Sequence, residues 1–290
     1  HRNWDYRTCW LRDSTFTVLA LLHAGYAEEA GAWVNWLIRA IAPKEHRTRT
    51  FYGVIPHTEI DEFEASWLSG FNGSRPVRFG NGARDQVQLG IYGEVQDTLH
   101  QWRLSTEKPE QSGWQDQCDM LQRLSRLVGE PDAGIWEQRG HLEMFTQSQA
   151  LAWVGFDRAI MSAKHFDFTG NGDWQSHRAR LHEEICAKGF DSELGGLTRA
   201  YGSRSFDASC LLLAMVGFLP ADDVRIEGTL NAIRRNLCAG PFVYRYDASR
   251  ENDGVGGSEG AFMPCSFWLA DNLILQRNED EAAAIFESAL

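Results

Sequence analysis

Apolar residues three and four positions apart recur along most of the chain, and this periodicity constrains the fold more than any other feature. Such steps trace one face of a helix and do not fit the alternation of a strand. One series is made by Tyr26, Ala30, Trp33, Leu37 and Ile41. Comparable runs cover residues 13–24, 87–102, 114–124, 147–164, 173–188, 206–216, 222–237, 262–275 and 280–290. The sequence therefore predicts about ten helices, with Asp13 or Ser14 as the N-cap of the first.

The connections between these helices alternate between short and long. Residues 44–81 form the longest connection, rich in glycine and proline, with short aromatic patches that suit a small hairpin. Two further long connections cover residues 131–139 and 247–260. Because strands and helices do not alternate, we expect an all-α fold of repeated αα-hairpins. A ring of helix pairs places the long loops at one end, where a rigid scaffold can carry a site.

Charge and composition limit the classes of partner. Asp and Glu outnumber Lys and Arg by 40 to 28, and the net charge of −12 argues against nucleic acid and anionic membranes. We find no run of about 18 apolar residues, so we predict no membrane span. The hydrophobic share of 43% is that of a soluble globular protein. The 11 Trp residues can fill a large core, but flat aromatic faces also serve as platforms for sugar rings.

The cysteines do not follow a metal-binding or disulfide pattern. They are Cys9, Cys118, Cys186, Cys210, Cys238 and Cys265, and no two have the CxxC spacing. Most lie among apolar neighbours on predicted helices, which is typical of reduced core cysteines. We therefore expect no metal and no cofactor, and a cytoplasmic location. The sequence does not indicate an oligomeric state.

One long connection combines a carboxylate with a tryptophan. In residues 131–139, Pro-Asp-Ala-Gly-Ile-Trp-Glu-Gln-Arg, the proline, aspartate and glycine predict a turn, and Glu137 directly follows Trp136. A carboxyl held against an indole loses hydration, which raises its pKa. A carboxylic acid still protonated near neutral pH is suited to general acid catalysis. The alternative is a solvated surface glutamate beside a packing tryptophan.

Two other stretches combine aromatic or glycine residues with arginine and carboxylates. The first is residues 3–13, and the second is residues 244–246 with the string Gly-Ser-Glu-Gly at 257–260. Neutral sugars are bound by aromatic faces together with Arg and Asp hydrogen-bonding groups. Arg12 and Asp13 can also be read as a solvated arginine beside a capping aspartate. Arg245 can be read as a surface arginine stacked between two tyrosines.

Six strings of the chain occur in the same order as in a known enzyme family. They are NWDYRTCWLRDSTFTVLALL, SRPVRFGNGARDQVQLGIYGEV, PDAGIWEQRG, YGSRSFDASCLLL, VYRY and SEGAFMPCSFWLAD. In these strings the chain resembles the catalytic domain of glycoside hydrolase family 15, which includes glucoamylases, glucodextranases and bacterial or archaeal trehalases. The strings NWDYR and GIWE resemble the bacterial branch.

The resemblance implies an (α/α)6 barrel and inverting hydrolysis of α-glucosidic bonds, with release of glucose from the non-reducing end. Glu137 matches the family's general acid, and Arg12 and Asp13 match the pair that holds the terminal glucose. The expected substrate is an oligosaccharide or disaccharide of α-linked glucose, with the α-1,4, α-1,6 and trehalose linkages left open. The other matches to substrate-binding positions are Tyr6, Trp10, Trp136 and Arg245, with Gln138 where fungal members have a second acidic residue.

The chain departs from the family's pattern at both ends. Members of the bacterial branch have an N-terminal β-sandwich and a first barrel helix before the first string, and a general base in a string like EEYDP after the last. We therefore expect residues 1–290 to be a fragment of one catalytic domain, a barrel incomplete at both ends. The general base is expected outside the chain, with Glu259 as the weaker candidate within it. Such a fragment is expected not to be a competent hydrolase on its own.

The other interpretation is a catalytically silent (α/α)6 barrel that serves as a carbohydrate-binding or regulatory module. The intact WLRD and GIWE strings favour a hydrolase. The missing base favours the silent barrel.

Overall fold

Helices make up most of the structure, a computed structural model that describes residues 4–41, 48–55, 61–106, 111, 113–170, 172–251, 253–254 and 259–290. Within these ranges the α-helices are α1 (Leu11–His23), α2 (Ala27–Ile41), α3 (Gly90–Ser105), α4 (Trp114–Leu127), α5 (Thr146–Phe166), α6 (Trp174–Lys188), α7 (Leu212–Met215), α8 (Val224–Leu237), α9 (Met263–Leu275) and α10 (Glu279–Ala289). Each corresponds to one of the helical runs predicted from the periodicity.

The first helix begins earlier than predicted. Helix α1 begins at Leu11, whose amide donates to the Thr50 carbonyl at 3.0 Å. The N-cap residue is Trp10, and it makes no side-chain cap hydrogen bond. The prediction of Asp13 or Ser14 as N-cap was therefore wrong, because a loop carbonyl meets the first helical amide. Asp13 lies inside the first turn, where its negative charge interacts favourably with the helix dipole.

The helix predicted over residues 206–216 is much shorter than expected. Asp207 has an extended backbone and caps a turn of 3-10 helix, Ala208–Leu211, through its carboxylate. Helix α7 then runs for only four residues and ends before Gly217, which has a φ of 74°. Asp207 also forms a β-bridge with Tyr246, so the start of this segment pairs with the loop at 244–246 and does not form helix.

The strands form small antiparallel pairs, each of two residues a strand. In the described residues β1 (Cys9–Trp10) pairs with β2 (Phe51–Tyr52), β3 (Phe63–Glu64) with β4 (Arg78–Phe79), β5 (Phe190–Asp191) with β6 (Gly196–Leu197), and β7 (Cys238–Ala239) with β8 (Phe242–Val243). The β3–β4 pair is the small hairpin predicted for residues 44–81, of which 44–47 and 56–60 lie outside the described residues.

The chain divides into two compact units, and the first comprises residues 1–130 and 151–178. In this unit Gly93 of α3 lies against α5, where a Cβ would come within 2.0 Å of the Leu151 carbonyl oxygen. Arg158 joins the two helices from the side, since its guanidinium binds Asp97 at 2.6 Å and Asp157 at 2.7 Å. The absence of a side chain at Gly93 therefore sets the close approach of α3 and α5.

The second unit comprises residues 131–150 and 179–290. Gly228 of α8 lies against the β5–β6 turn, where a Cβ would come within 1.8 Å of the Gly195 carbonyl oxygen. Asn272 of α9 donates to the Leu211 carbonyl at 2.8 Å and so ties α9 to the 3-10 turn. The single domain expected from the sequence stays a prediction.

Three further sequence expectations concern membranes, cysteines and metals. Across the described ranges, no helix is both long and apolar enough to cross a bilayer. The six cysteines are free thiols, of which Cys118, Cys210 and Cys265 are buried and the others half-buried. Among the described residues, no group of three or more His, Cys, Asp or Glu side chains is placed to hold a metal ion.

Candidate functional site

The second unit contains the turn that joins Trp136 to Glu137, which we call the acid turn (residues 133–138). It is closed by two backbone hydrogen bonds, from Glu137 N to Gly134 O at 3.3 Å and from Gln138 N to Ala133 O at 3.0 Å. The turn predicted from proline and glycine is confirmed. Glu137 has a φ of 50°, in the left-handed region that non-glycine residues rarely adopt. Such a conformation persists only where the surroundings determine it, and it is frequent at functional sites.

Trp136 is held by aromatic rings and by one arginine. Its ring stacks on Trp268 at a centroid distance of 6.1 Å and meets the edge of Phe262 at 5.8 Å. The Arg245 guanidinium lies 5.0 Å from the centre of the Trp136 ring, within the range of a cation–π interaction. The indole is therefore fixed in an aromatic cluster whose members come from distant parts of the chain.

Asp207 contacts the polar end of the same indole. Trp136 Nε1 donates to both carboxylate oxygens, at 3.0 and 2.9 Å, and the Ser209 amide donates to Oδ1 at 2.8 Å. Burial raises the pKa of the Asp207 carboxyl, and these hydrogen bonds act in the opposite direction. We did not single out Asp207 from the sequence. The available signal was one carboxylate in the apolar string SFDASCLLL.

Arg245 and Glu259, two of the predicted site residues, form an ion pair. Arg245 Nε donates to Glu259 Oε2 at 3.1 Å, and Nη2 donates to Oε1. The Arg245 side chain is 15% exposed and lies over both Trp136 and Tyr246, so it contacts one of the two tyrosines but is not a surface arginine. The pair borders a cavity of about 520 Å³, which is large enough for a small ligand and is also lined by Asn236, Tyr244 and Asp247.

The pairing bears on Glu259 as a candidate base. Both of its carboxylate oxygens are engaged by the same guanidinium. A general base must lie within hydrogen-bond reach of the attacking water, whereas this contact fixes the Glu259 carboxylate on Arg245. This arrangement therefore favours a role for Glu259 in placing Arg245. Gly257 and Ser258 of the same string lie outside the described residues.

Gln138 lies inside the unit and contacts a buried arginine. Gln138 is 4% exposed, and Arg199 Nη1 donates to its Oε1 at 3.4 Å. Arg199 also pairs with Glu143 at 2.6 Å and with Glu251 at 2.8 Å. We did not select Arg199 from the sequence, but it links Gln138 of the acid turn to Glu251 of the connection at 247–260.

That connection, in its described part, packs on the backbone directly after the acid turn. The Asp253 carbonyl accepts from the Arg139 amide at 2.9 Å, and its carboxylate accepts from the Tyr246 hydroxyl at 2.8 Å. Gly254, with a φ of 77°, lies against the backbone of Arg139 and Gly140. Residues 252 and 255–258 of this connection lie outside the described residues.

The first unit contains the predicted aromatic residues Tyr6 and Trp10. Trp10 is 6% exposed and packs on Phe51 at a centroid distance of 4.7 Å. Tyr6 is 62% exposed, and its ring lies 5.6 Å from that of Trp10. Trp10 is thus a core residue with one neighbour that faces solvent. Asn3, the first residue of the matching string, lies outside the described residues.

An ion pair between Asp5 and Arg7 stabilises the segment that contains Tyr6 and Trp10. The Asp5 carboxylate accepts from Arg7 Nε at 2.8 Å and Nη2 at 2.7 Å, and from the Gly80 amide at 2.9 Å. The hydrogen bonds from Arg7, opposed in part by burial, lower the pKa of Asp5 to about 2. Asp5 therefore fixes the 4–10 segment against the segment after β4.

Arg12 and Asp13 lie side by side at the start of α1. Arg12 Nη2 is 3.3 Å from Asp13 Oδ2, and the two side chains are 17% and 64% exposed. Tyr6, Trp10, Arg12 and Asp13 thus belong to one unit. The acid turn, Arg245 and Glu259 belong to the other.

The sequence of the whole chain matches one family model. That model is described as glycosyl hydrolases family 15, and the match covers residues 1–290. The chain belongs to this family.

Curated relatives of this family 15 chain carry the name trehalase. The chain is 33% identical over 291 residues to a trehalase of Thermoplasma volcanium, with 100% of this chain and 46% of the relative covered. It is 36% identical over 277 residues to a trehalase of Mycolicibacterium smegmatis, with 94% and 41% covered. The chain spans about half or less of the length of these relatives.

Solved glycosidase structures share the fold of the family 15 chain. A wild-type glycosidase superposes with a TM-score of 0.72 at 17% identity, over 96% of this chain and 72% of that one. A glucoamylase from Saccharomycopsis fibuligera gives a TM-score of 0.69 at 13% identity, over 97% and 66%. A glycosidase variant in complex with glucose gives 0.70 at 18% identity, over 96% and 72%. The predicted fold class, an all-α (α/α)6 barrel, is confirmed.

Proposed function

We propose that the protein containing this chain hydrolyses α-glucosidic bonds with inversion and that its substrate is trehalose. The relatives that share about a third of its residues are named trehalases. Glucan substrates with α-1,4 or α-1,6 linkages are the alternative, since glucoamylases share the fold. The activity is proposed for the protein encoded by the complete reading frame. That residues 1–290 alone are not a competent hydrolase stays a prediction.

In the proposed mechanism Glu137 is the general acid. It gives a proton to the glycosidic oxygen as the bond to the leaving glucose breaks. A water molecule attacks the anomeric carbon from the opposite face, so the product has the inverted configuration. Inversion requires a second carboxylate roughly 6.5–9.5 Å from the acid to accept the proton of that water. We assign the base to a residue outside 1–290, as the family resemblance implies, and keep Glu259, which binds Arg245, as the weaker candidate.

The remaining site residues are proposed to bind the sugar. Arg12 and Asp13 offer a donor and an acceptor to the hydroxyls of the terminal glucose. Trp136 and Tyr6 offer aromatic faces, and Arg245 offers donors at the edge of the Trp136 ring. Gln138 is proposed to act through the shape of the acid turn, since its side chain is buried against Arg199.

The observation that carries the acid assignment is the placement of Glu137 at φ 50° in a turn held from several sides. The test is Glu137→Gln in the protein expressed from the complete reading frame. With trehalose, kcat should fall by roughly 10²- to 10⁴-fold, the usual range for a positioned acid. With a glucoside whose leaving group needs no proton, the loss should be much smaller.

Glu193→Gln is the matched control, because Glu193 is a surface glutamate of the same unit, paired with Arg204. Turnover of trehalose by Glu137→Gln at the wild-type rate would rule out the acid role. A wild-type protein that binds trehalose but releases no glucose would support the silent sugar-binding barrel.

A further inference from the structure

The buried carboxylate of Asp207 is the polar anchor of Trp136. Asp207 is 2% exposed, and Trp136 Nε1 lies within 3.0 Å of both of its oxygens. A hydrogen bond to an ionised acceptor is shorter and stronger than one between neutral groups. Few water molecules compete for the bond at a buried position, so it is also stronger than the same bond at the surface.

The rings around Trp136 restrain it in a different way. Stacking on Trp268 and edge contact with Phe262 define the plane of the indole. Such contacts depend weakly on rotation or sliding within that plane. A hydrogen bond at the indole N–H is directional and fixes the remaining freedom.

Trp136 and Glu137 share a peptide bond, so the position of the indole limits the conformations open to Glu137. The turn is short, since the Gln138 amide already bonds back to Ala133. The left-handed backbone of Glu137 is unfavourable by itself and depends on its neighbours. The Asp207 carboxylate, which holds the side chain of the preceding residue Trp136, is one such neighbour.

We propose that Asp207 is a positioning residue, which holds Trp136 through its indole N–H and thereby directs the carboxyl group of Glu137. The adjacent Ala208 amide donates to the Arg245 carbonyl at 2.8 Å, so the same two-residue segment also places Arg245. This inference rests on the proposed role of Glu137 as the acid.

Asp207 also has a purely structural contact, because it caps the turn of 3-10 helix through the Ser209 amide. Its substitution will lower stability whether or not it directs Glu137. The control must therefore make the same change at a capping aspartate that does not touch the acid turn. Asp223 in the same unit accepts from the Arg225 amide at 2.9 Å and is the N-cap of α8.

The experiment compares Asp207→Asn with Asp223→Asn in the protein expressed from the complete reading frame. With trehalose, Asp207→Asn should lower kcat by about 10- to 100-fold, the effect of a small misplacement of a catalytic group. KM should change less than kcat, because Trp268 and Phe262 still define the plane of the Trp136 ring. With 4-nitrophenyl α-glucoside the loss of kcat should be clearly smaller, since this leaving group depends less on the acid. Asp223→Asn should lower the melting temperature and leave kcat unchanged.

A kcat of folded Asp207→Asn equal to that of the wild type would overturn the proposal, and so would equal losses on both substrates. A second measurement does not depend on whether an Asp207 variant folds. In protein labelled with ¹⁵N-tryptophan, the indole resonance that Trp136→Phe removes should exchange slowly with water. Fast exchange of that resonance would also overturn the proposal.

The failure of this inference can be told apart from the failure of the proposed function. If Glu137→Gln turns over trehalose at the wild-type rate, the proposed function fails. If Glu137→Gln is impaired and Asp207→Asn is not, only the present inference fails.

Discussion

Asp13 and Asp207 differ in what surrounds each carboxylate. Asp207 is enclosed by hydrogen-bond donors, whereas the Asp13 side chain is 64% exposed and contacts Arg12 at 3.3 Å. An exposed ion pair contributes about 0–1 kcal/mol to stability. If Asp13 holds a sugar hydroxyl, its contribution will therefore be visible in binding and turnover much more than in folding.

We expect Asp13→Ala to lower kcat/KM for trehalose by about 5- to 150-fold, since an unsatisfied group in a ligand complex costs about 1–3 kcal/mol. The melting temperature should change little. Asp116→Ala is the matched control, because Asp116 is the third residue of α4 as Asp13 is the third residue of α1. Steady-state kinetics and thermal melts of both variants distinguish a role of Asp13 in sugar binding from a role in helix stability. A collapse in melting temperature with normal kinetics of the remaining folded enzyme would show that Asp13 only stabilises the helix start.

At the scale of elements, the acid turn depends on the loop that carries Asp253 and Gly254. A Cβ on Gly254 would lie 2.4 Å from the Arg139 carbonyl carbon and 2.6 Å from the Gly140 amide nitrogen. Both atoms belong to the backbone that directly follows the acid turn, so neither can move without shifting the residues attached to the end of that turn. The conformation of the acid turn therefore depends on the conformation of this loop.

Gly254→Ala should consequently reduce both stability and turnover. Gly240→Ala is a control with the same backbone demand, since Gly240 has a φ of 62° but would place its Cβ in open space. Each change costs about 1–2 kcal/mol for an alanine in the left-handed region. Only Gly254→Ala adds the clash, so it should melt lower than Gly240→Ala and hydrolyse trehalose more slowly. Equal melting temperatures and equal rates would contradict this account of the loop.

At the scale of the whole molecule, two aspartates link folding to pH. In each unit one aspartate pairs with the arginine two residues later, Asp5 with Arg7 and Asp223 with Arg225. Hydrogen bonds from these arginines lower the pKa of Asp5 and of Asp223 to about 2. In an unfolded chain the pKa of an aspartate is about 3.9. Because the folded pKa is the lower one, each pair stabilises the folded state above the unfolded value and loses that effect as pH falls toward 2.

We therefore expect the free energy of unfolding to fall between about pH 4 and pH 2, with part of the fall due to these two pairs. In Asp223→Asn the amide does not titrate, so the variant should be less stable than the wild type at pH 6 and nearly equal to it at pH 2. Urea unfolding at several pH values measures the difference. A difference that does not depend on pH would show that the Asp223 carboxylate has no linked role.

Local patterns were enough to predict most of the helices, because helical hydrogen bonds and the apolar face are set by residues three and four apart. The turn before Glu137 was predicted for a similar reason, since proline and glycine restrict the backbone where they stand. The order of the six matching strings was enough to indicate the family. The errors at Asp13 and at residues 206–216 concern segment ends, where a partner from another part of the chain decides.

The supports of the site were decided by the tertiary structure. Trp136 and Asp207 are 71 residues apart, and Gln138 and Arg199 are 61 residues apart. No periodicity relates such pairs, because the chain between them only has to fold back. By itself the sequence determined the helices, the acid turn and the residue types available for sugar chemistry. Which buried carboxylate meets the indole, and which guanidinium meets Glu259, depended on how those helices pack, since only packing brings distant polar groups within hydrogen-bonding distance.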